Sequence, residues 1–176
     1  MEEKNWLELL NQAQGLKQLQ ETNQYTEQFG LRLSEEDTAL LMEERNNTLQ
    51  AERRVEFGPG ILPRLIYEFC DSAYLSQDSY RDTLIRLQEI FFRYKNEMLD
   101  EITDDELLHF MREQFDDVCC GDLDYLEGTC LEVFAGAIRA GYGEYQATEG
   151  RGAFSAIDPV RRWDRDLYLQ ALQDLF

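Results

Sequence analysis

The sequence predicts an all-α protein, an irregular single-domain bundle of about six to eight helices, and three observations carry that expectation. From Tyr80 the apolar residues fall at 80, 84, 87, 91, 94 and 98, steps of four and three that line one helical face. Helix-opening signals recur along the chain, and no stretch keeps the two-residue alternation of a half-buried strand. With 176 residues and 43% apolar side chains, the chain can bury a core without staples.

Taken in order, helical patterns cover residues 4–20 and 22–29 and stop at Gly30. Ser34 followed by Asp37 opens a helix over 35–54. Phe57-Gly58-Pro59-Gly60 reads as a turn whose glycines allow positive φ, and Leu62-Pro63 marks a break before a helix over 62–71. Ser76 is the expected cap of the helix over 77–99, the one with the clearest stripe. Thr103-Asp104-Asp105-Glu106 forms a capping box that opens 104–118, and Gly121 should stop that helix.

A helix over 122–140 is expected to end at Gly141. Five of the eleven glycines lie between Gly136 and Gly152, so this stretch reads as an irregular, mobile connection. Asp158-Pro159 then opens a terminal helix over 159–174, with Val160, Trp163, Leu167, Ala171 and Leu175 on one side. The expected organisation is an N-terminal helical extension at 1–30, a helical core at 31–141, a glycine-rich loop at 142–157 and a packed C-terminal helix at 158–176, all within one domain.

The net charge is −19, and its distribution is uneven. Eleven carboxylates between Glu101 and Glu132 face a single base in that stretch, Arg112. Nucleic-acid binding needs clustered Lys and Arg to displace counterions from phosphates, and no such cluster exists, so direct DNA or RNA binding is not expected. The start, Met-Glu-Glu-Lys-Asn-Trp-Leu, has neither a basic n-region nor a long apolar run, and no segment approaches the ~18 apolar residues of a membrane span. These features predict a cytoplasmic protein without a membrane segment. Cys70, Cys119, Cys120 and Cys130 are then expected as reduced thiols.

Motifs that carry chemistry are incomplete. Glu106-Leu107-Leu108-His109 matches one Glu-x-x-His element of a dinuclear metal site, but such a site takes two, and His109 is the only histidine. Asp116 to Glu127 has the length of a calcium loop, yet its third and fifth positions are Val118 and Cys120. Cys119, Cys120 and Cys130 lack the Cys-x-x-Cys spacing of zinc knuckles. A cysteine activated by His109 would sit among carboxylates that raise a thiol pKa. No catalytic, cofactor-binding or metal-ligating residue is expected.

The run Val55-Glu56-Phe57-Gly58-Pro59-Gly60-Ile61-Leu62-Pro63-Arg64-Leu65-Ile66-Tyr67, with Phe69-Cys70-Asp71-Ser72 and Asp122-Leu123-Asp124-Tyr125-Leu126, resembles an uncharacterised bacterial protein family known only as a domain of unknown function. The resemblance covers roughly residues 31 to 145. It implies a bacterial cytoplasmic protein and brings no catalytic residues with it.

The expected function is therefore a non-enzymatic interaction module whose acidic surface binds a basic protein partner. Alternatives are an inhibitor that imitates nucleic acid, with carboxylates in place of phosphates, and an enzyme of unrecognised type. The candidate residues are Asp104, Asp105, Asp116, Asp117, Asp122 and Asp124 as the acidic face, with Phe57, Gly58, Pro59, Gly60 and Arg64 as a shaped turn. A mimic should hold its carboxylates as a rigid rail, whereas a protein-binding surface should mix acids with apolar anchors.

Overall fold

The computed structural model describes residues 2–56 and 60–147, with side chains from 6–56 and 60–140. Phe57, Gly58, Pro59, residues 148–157 of the glycine-rich loop and the expected helix at 159–174 lie outside the described residues. Among the described residues there are six helices of eight residues or more and no strand. The all-α expectation holds.

α1 spans Glu2–Thr26 without the break expected near residue 21. Neither Gly nor Pro occurs between Leu16 and Phe29, and the Thr22 hydroxyl donates back to the Leu19 carbonyl at 2.5 Å, so nothing there competes with the helix. A 3₁₀ turn, Glu27–Phe29, follows, and Gly30 ends it at φ +75°, donating its N–H to the Glu27 carbonyl. The next residues run back along α1. Buried Asn23 holds them there, accepting from the Leu33 N–H and donating to the Leu33 carbonyl, both at 2.8 Å.

α2, Glu35–Ala51, opens with the expected capping box, in which Ser34 and Asp37 each accept the other's backbone N–H at 3.0 Å. α3, Leu62–Phe69, is short, and its Leu62, Leu65, Ile66 and Phe69 at i, i+3, i+4 and i+7 are all buried. α4, Tyr80–Glu97, follows a 3₁₀ turn at Gln77–Ser79. Ser76 does not cap it, because its hydroxyl meets the Ser79 hydroxyl at 3.0 Å instead of a backbone N–H. α5, Asp104–Asp117, has the second predicted capping box, Thr103 with Glu106.

Asp122 then caps a single turn, α6, Leu123–Tyr125, by accepting the Tyr125 N–H at 3.1 Å. A π-helical turn, Leu126–Cys130, leads into α7, Leu131–Ala147. The wide turn leaves the Glu127 carbonyl free to accept from the Tyr94 hydroxyl. α7 corrects one expectation: it runs through Gly141 and Gly143 to Ala147, past the stop expected at Gly141. An interior glycine costs a helix only about 1 kcal/mol. Leu131, Phe134, Ala135 and Ile138 share a buried face, and each large apolar side chain so buried contributes about 1.5–3 kcal/mol.

α4 lies at the centre, packing against α2, α3, α5 and α7. Leu84, Leu87, Ile90 and Phe91 are sealed there with Phe69 of α3 and Phe110 and Phe115 of α5. Phe110 stacks on Phe134 of α7 with ring centres 3.9 Å apart, and Phe69 meets Phe115 edge-on at 5.4 Å. All four cysteines are unbonded, with Cys70, Cys119 and Cys130 buried and Cys120 exposed. Among the described residues no helix is long and apolar enough to cross a membrane.

Candidate functional site

The six aspartates expected to form one face occupy three places. Asp104 and Asp105 open α5, and Asp116 stands about 18 Å further along it at 1.5 Å per residue. Asp122 and Asp124 follow on α6. The first and last groups meet bases from distant parts of the chain and Asp116 meets Arg112 one turn back on α5, so the local excess of acid is partly neutralised.

At the start of α5, Arg64 of α3 pairs with Asp105 and stands 3.6 Å from Asp104. Asp104 also reaches the buried Lys95 ammonium at 3.0 Å. Gly60 lies close by, with φ +68° and no room for a side chain, because a Cβ would stand 2.6 Å from the Glu56 carboxylate. That carboxylate is already held by Arg45 Nε at 2.6 Å and by the Ile61 N–H at 2.7 Å. The cleft beside it, about 390 Å³, is lined by Arg54, Glu56, Gly60, Arg64, Phe91, Phe92 and Asp104. Every charged group in it has an internal partner, and it serves to tie α2, α3 and α5 together.

Around α6, Asp122 is used as a helix cap, as described, and Asp124 accepts from Arg86 at 2.8 Å. Arg86 and Arg93 also bracket Glu127, at 3.3 and 3.6 Å. The calcium-loop reading fails here for a structural reason, since these oxygens turn to a cap and to arginines. Among the described residues no group of three or more His, Cys, Asp or Glu side chains is placed to hold a metal ion.

The third place differs. Between α3 and α5 a cleft of about 370 Å³ is lined by Tyr67, Glu68, Asp71, Arg112, Glu113, Asp116 and Asp117. It forms because both helices bury one face and leave the other outward: α3 turns out Tyr67 and Glu68, and α5 turns out His109, Arg112 and Glu113. Arg112 cross-links the floor, donating to the Glu68 carbonyl, to Asp71 at 2.6 Å and to Asp116 at 2.7 Å. Burial opposes its charge, but these hydrogen bonds outweigh that and hold its pKa above the usual arginine value. Asp116 also accepts from the Ser72 hydroxyl at 2.6 Å. On the rim, exposed His109 bridges Glu68 at 3.5 Å and Glu113 at 3.2 Å. Five carboxylates thus face one permanent cation.

An aromatic cluster continues this cleft. Tyr67 meets Tyr25 of α1 edge-on at 5.6 Å, and Tyr25 meets Phe29 at 5.7 Å, all three being exposed. Exposed Tyr74 lies over Gly121, where a Cβ would stand 2.7 Å from its own. The Cys120 thiol beside the Tyr74 hydroxyl, with the nearby Asp116 and Asp117 charges, pushes the Tyr74 pKa up. The thiols are not activated: burial pushes Cys70, Cys119 and Cys130 above the ordinary thiol range. The arrangement suits a cation, because carboxylates accept a guanidinium or ammonium while a tyrosine face attracts it.

Of the predicted site residues, only Asp116 and Asp117 line this cleft. Glu68, Asp71, Tyr67, Tyr25 and Phe29 were missed, since they lie on or just after α1 and α3, and only folding brings them beside one another and the cleft. The sole signal was that Tyr67, Glu68 and Asp71 fall on the polar side of the stripe Leu62, Leu65, Ile66 and Phe69.

No curated protein and no solved structure matches the chain. A family model described as a family of unknown function (DUF6323) matches residues 18–144, from the packed half of α1 through most of α7. That stretch contains the whole cleft and its aromatic rim and exceeds half of the chain, so the protein belongs to this family of unknown function.

Proposed function

We propose that the protein is a non-enzymatic binding module, and that the cleft between α3 and α5 takes a basic side chain of a protein partner. The observation that carries this reading is the union of five carboxylates with the exposed ring cluster Tyr67, Tyr25 and Phe29. Carboxylates supply charge and orientation, and the rings supply the apolar anchor that gives an interface its affinity. The same mixture weighs against imitation of nucleic acid, which calls for carboxylates spaced along a rail without internal arginines.

The test uses the full chain and a synthetic peptide with two arginines flanked by leucines. Association should weaken as salt rises, and the double variant Glu113→Gln, Asp117→Asn should lose at least tenfold in affinity, about 1.4 kcal/mol. Tyr67→Ala should lose affinity with little change in salt dependence. If the double variant and Tyr67→Ala both bind as the parent does, the cleft is not the binding site.

A further inference from the structure

α1 carries two apolar stripes that point in nearly opposite directions. Its second half packs on the body through buried Leu19, Thr22, Asn23 and Thr26, with Leu16 partly buried beside them. Its first half carries Trp6, Leu7, Leu9, Leu10 and Ala13, whose mean direction, at about 100° per residue, lies about 150° round the helix from the packed stripe. Trp6 is 63% exposed, Leu7 60% and Leu9 53%. Nothing among the described residues covers this face. A contiguous apolar patch of this kind marks an interaction site.

We propose that residues 158–176 of the same chain cover this face. The family match spans residues 18–144, so the first half of α1 and the C-terminal segment both lie outside it. Their patterns match: Val160, Trp163, Leu167, Ala171 and Leu175 recur at steps of three and four, and at helical rise they extend about 22 Å, as Glu2 to Leu16 extend about 21 Å. Charge does not oppose the pairing: the C-terminal segment sets Arg161, Arg162 and Arg165 against Asp158, Asp164, Asp166 and Asp174, so it is almost neutral beside the Glu2, Glu3 and Glu8 of α1. A second copy would instead bring another net charge of −19. Ten residues, 148–157, separate α7 from this segment, enough chain to span at most about 33 Å.

Trp6 and Trp163 are the chain's two tryptophans, which makes the proposal readable by fluorescence. In full-length Trp6→Phe, Trp163 should emit at short wavelength and resist acrylamide quenching. Adding Leu10→Glu should restore quenching severalfold while helical circular dichroism stays unchanged, because Leu10 is exposed on the body. The protection should persist on dilution. Free quenching of Trp163 in Trp6→Phe, or protection indifferent to Leu10→Glu, overturns the proposal. Protection that fades on dilution together with a dimer in sedimentation also overturns it, and assigns the face to a second copy.

Discussion

Lys95 Nζ, buried between α4 and the start of α5, stands 3.0 Å from an Asp104 carboxylate oxygen and donates to the Ile102 carbonyl at 2.7 Å. Asp100 lies 3.6 Å away on the same ammonium. One cation therefore gathers the loop that joins the two helices, and an aspartate expected to face a partner is engaged by it in an internal ion pair.

Replacing Lys95 by Met keeps the volume and deletes the cation. The Ile102 carbonyl then loses its buried donor and Asp104 its strongest neighbour, a loss of about 2 kcal/mol. Urea unfolding should show an earlier midpoint at unchanged slope. A midpoint equal to that of the parent would mean that desolvating Lys95 cancels all it gains.

Gln88 is fully buried in α4, and neither its amide nitrogen nor its oxygen has a hydrogen-bond partner among the described residues. Burying an unsatisfied amide costs about 1–3 kcal/mol, so Gln88→Met should stabilise the protein by about 1 kcal/mol or more. Calorimetry would show this as a raised Tm. A lowered Tm would place an ordered water or another polar partner on the amide.

Arg54 grips Asp100 with both guanidinium nitrogens, at 2.8 and 3.1 Å, and this hydrogen bonding holds the Asp100 carboxyl below the usual carboxylate range. A depressed folded pKa contributes stability that is present above the unfolded value, near 3.9, and is lost as pH falls through the folded one. Asp100→Asn should therefore cost about 0.5–1 kcal/mol at neutral pH and progressively less below about pH 4. Asn tolerates the left-handed φ of +56° found at Asp100, so no strain is added. Stability curves of parent and variant that stay parallel from pH 7 to 2.5 would remove Asp100 from the acid transition.

What the sequence makes legible is local. The Ser34–Asp37 and Thr103–Glu106 boxes and the Gly30 stop each join groups within three residues, and all are present. Only the end of α7 is misleading in the sequence, because Gly141 and Gly143 suggest a stop whereas the helix continues to Ala147. The acidic face was misread for a different reason. Counting charges from Glu101 to Glu132 finds only Arg112, but Arg64 reaches Asp105 across 41 residues and Arg86 reaches Asp124 across 38. Such distances in the chain leave no periodic trace.

The π-helical turn at Leu126–Cys130 acts as a phase shifter. It accommodates one residue more than an α-turn, so winding the same residues as a regular α-helix would rotate everything downstream by about 100°. Phe134 would swing away from Phe110, and exposed Glu132 or Arg139 would come round toward the core. The length of this five-residue segment is thus a setting for the whole of α7, and insertions or deletions should be tolerated there only in steps that return Phe134 to its stack.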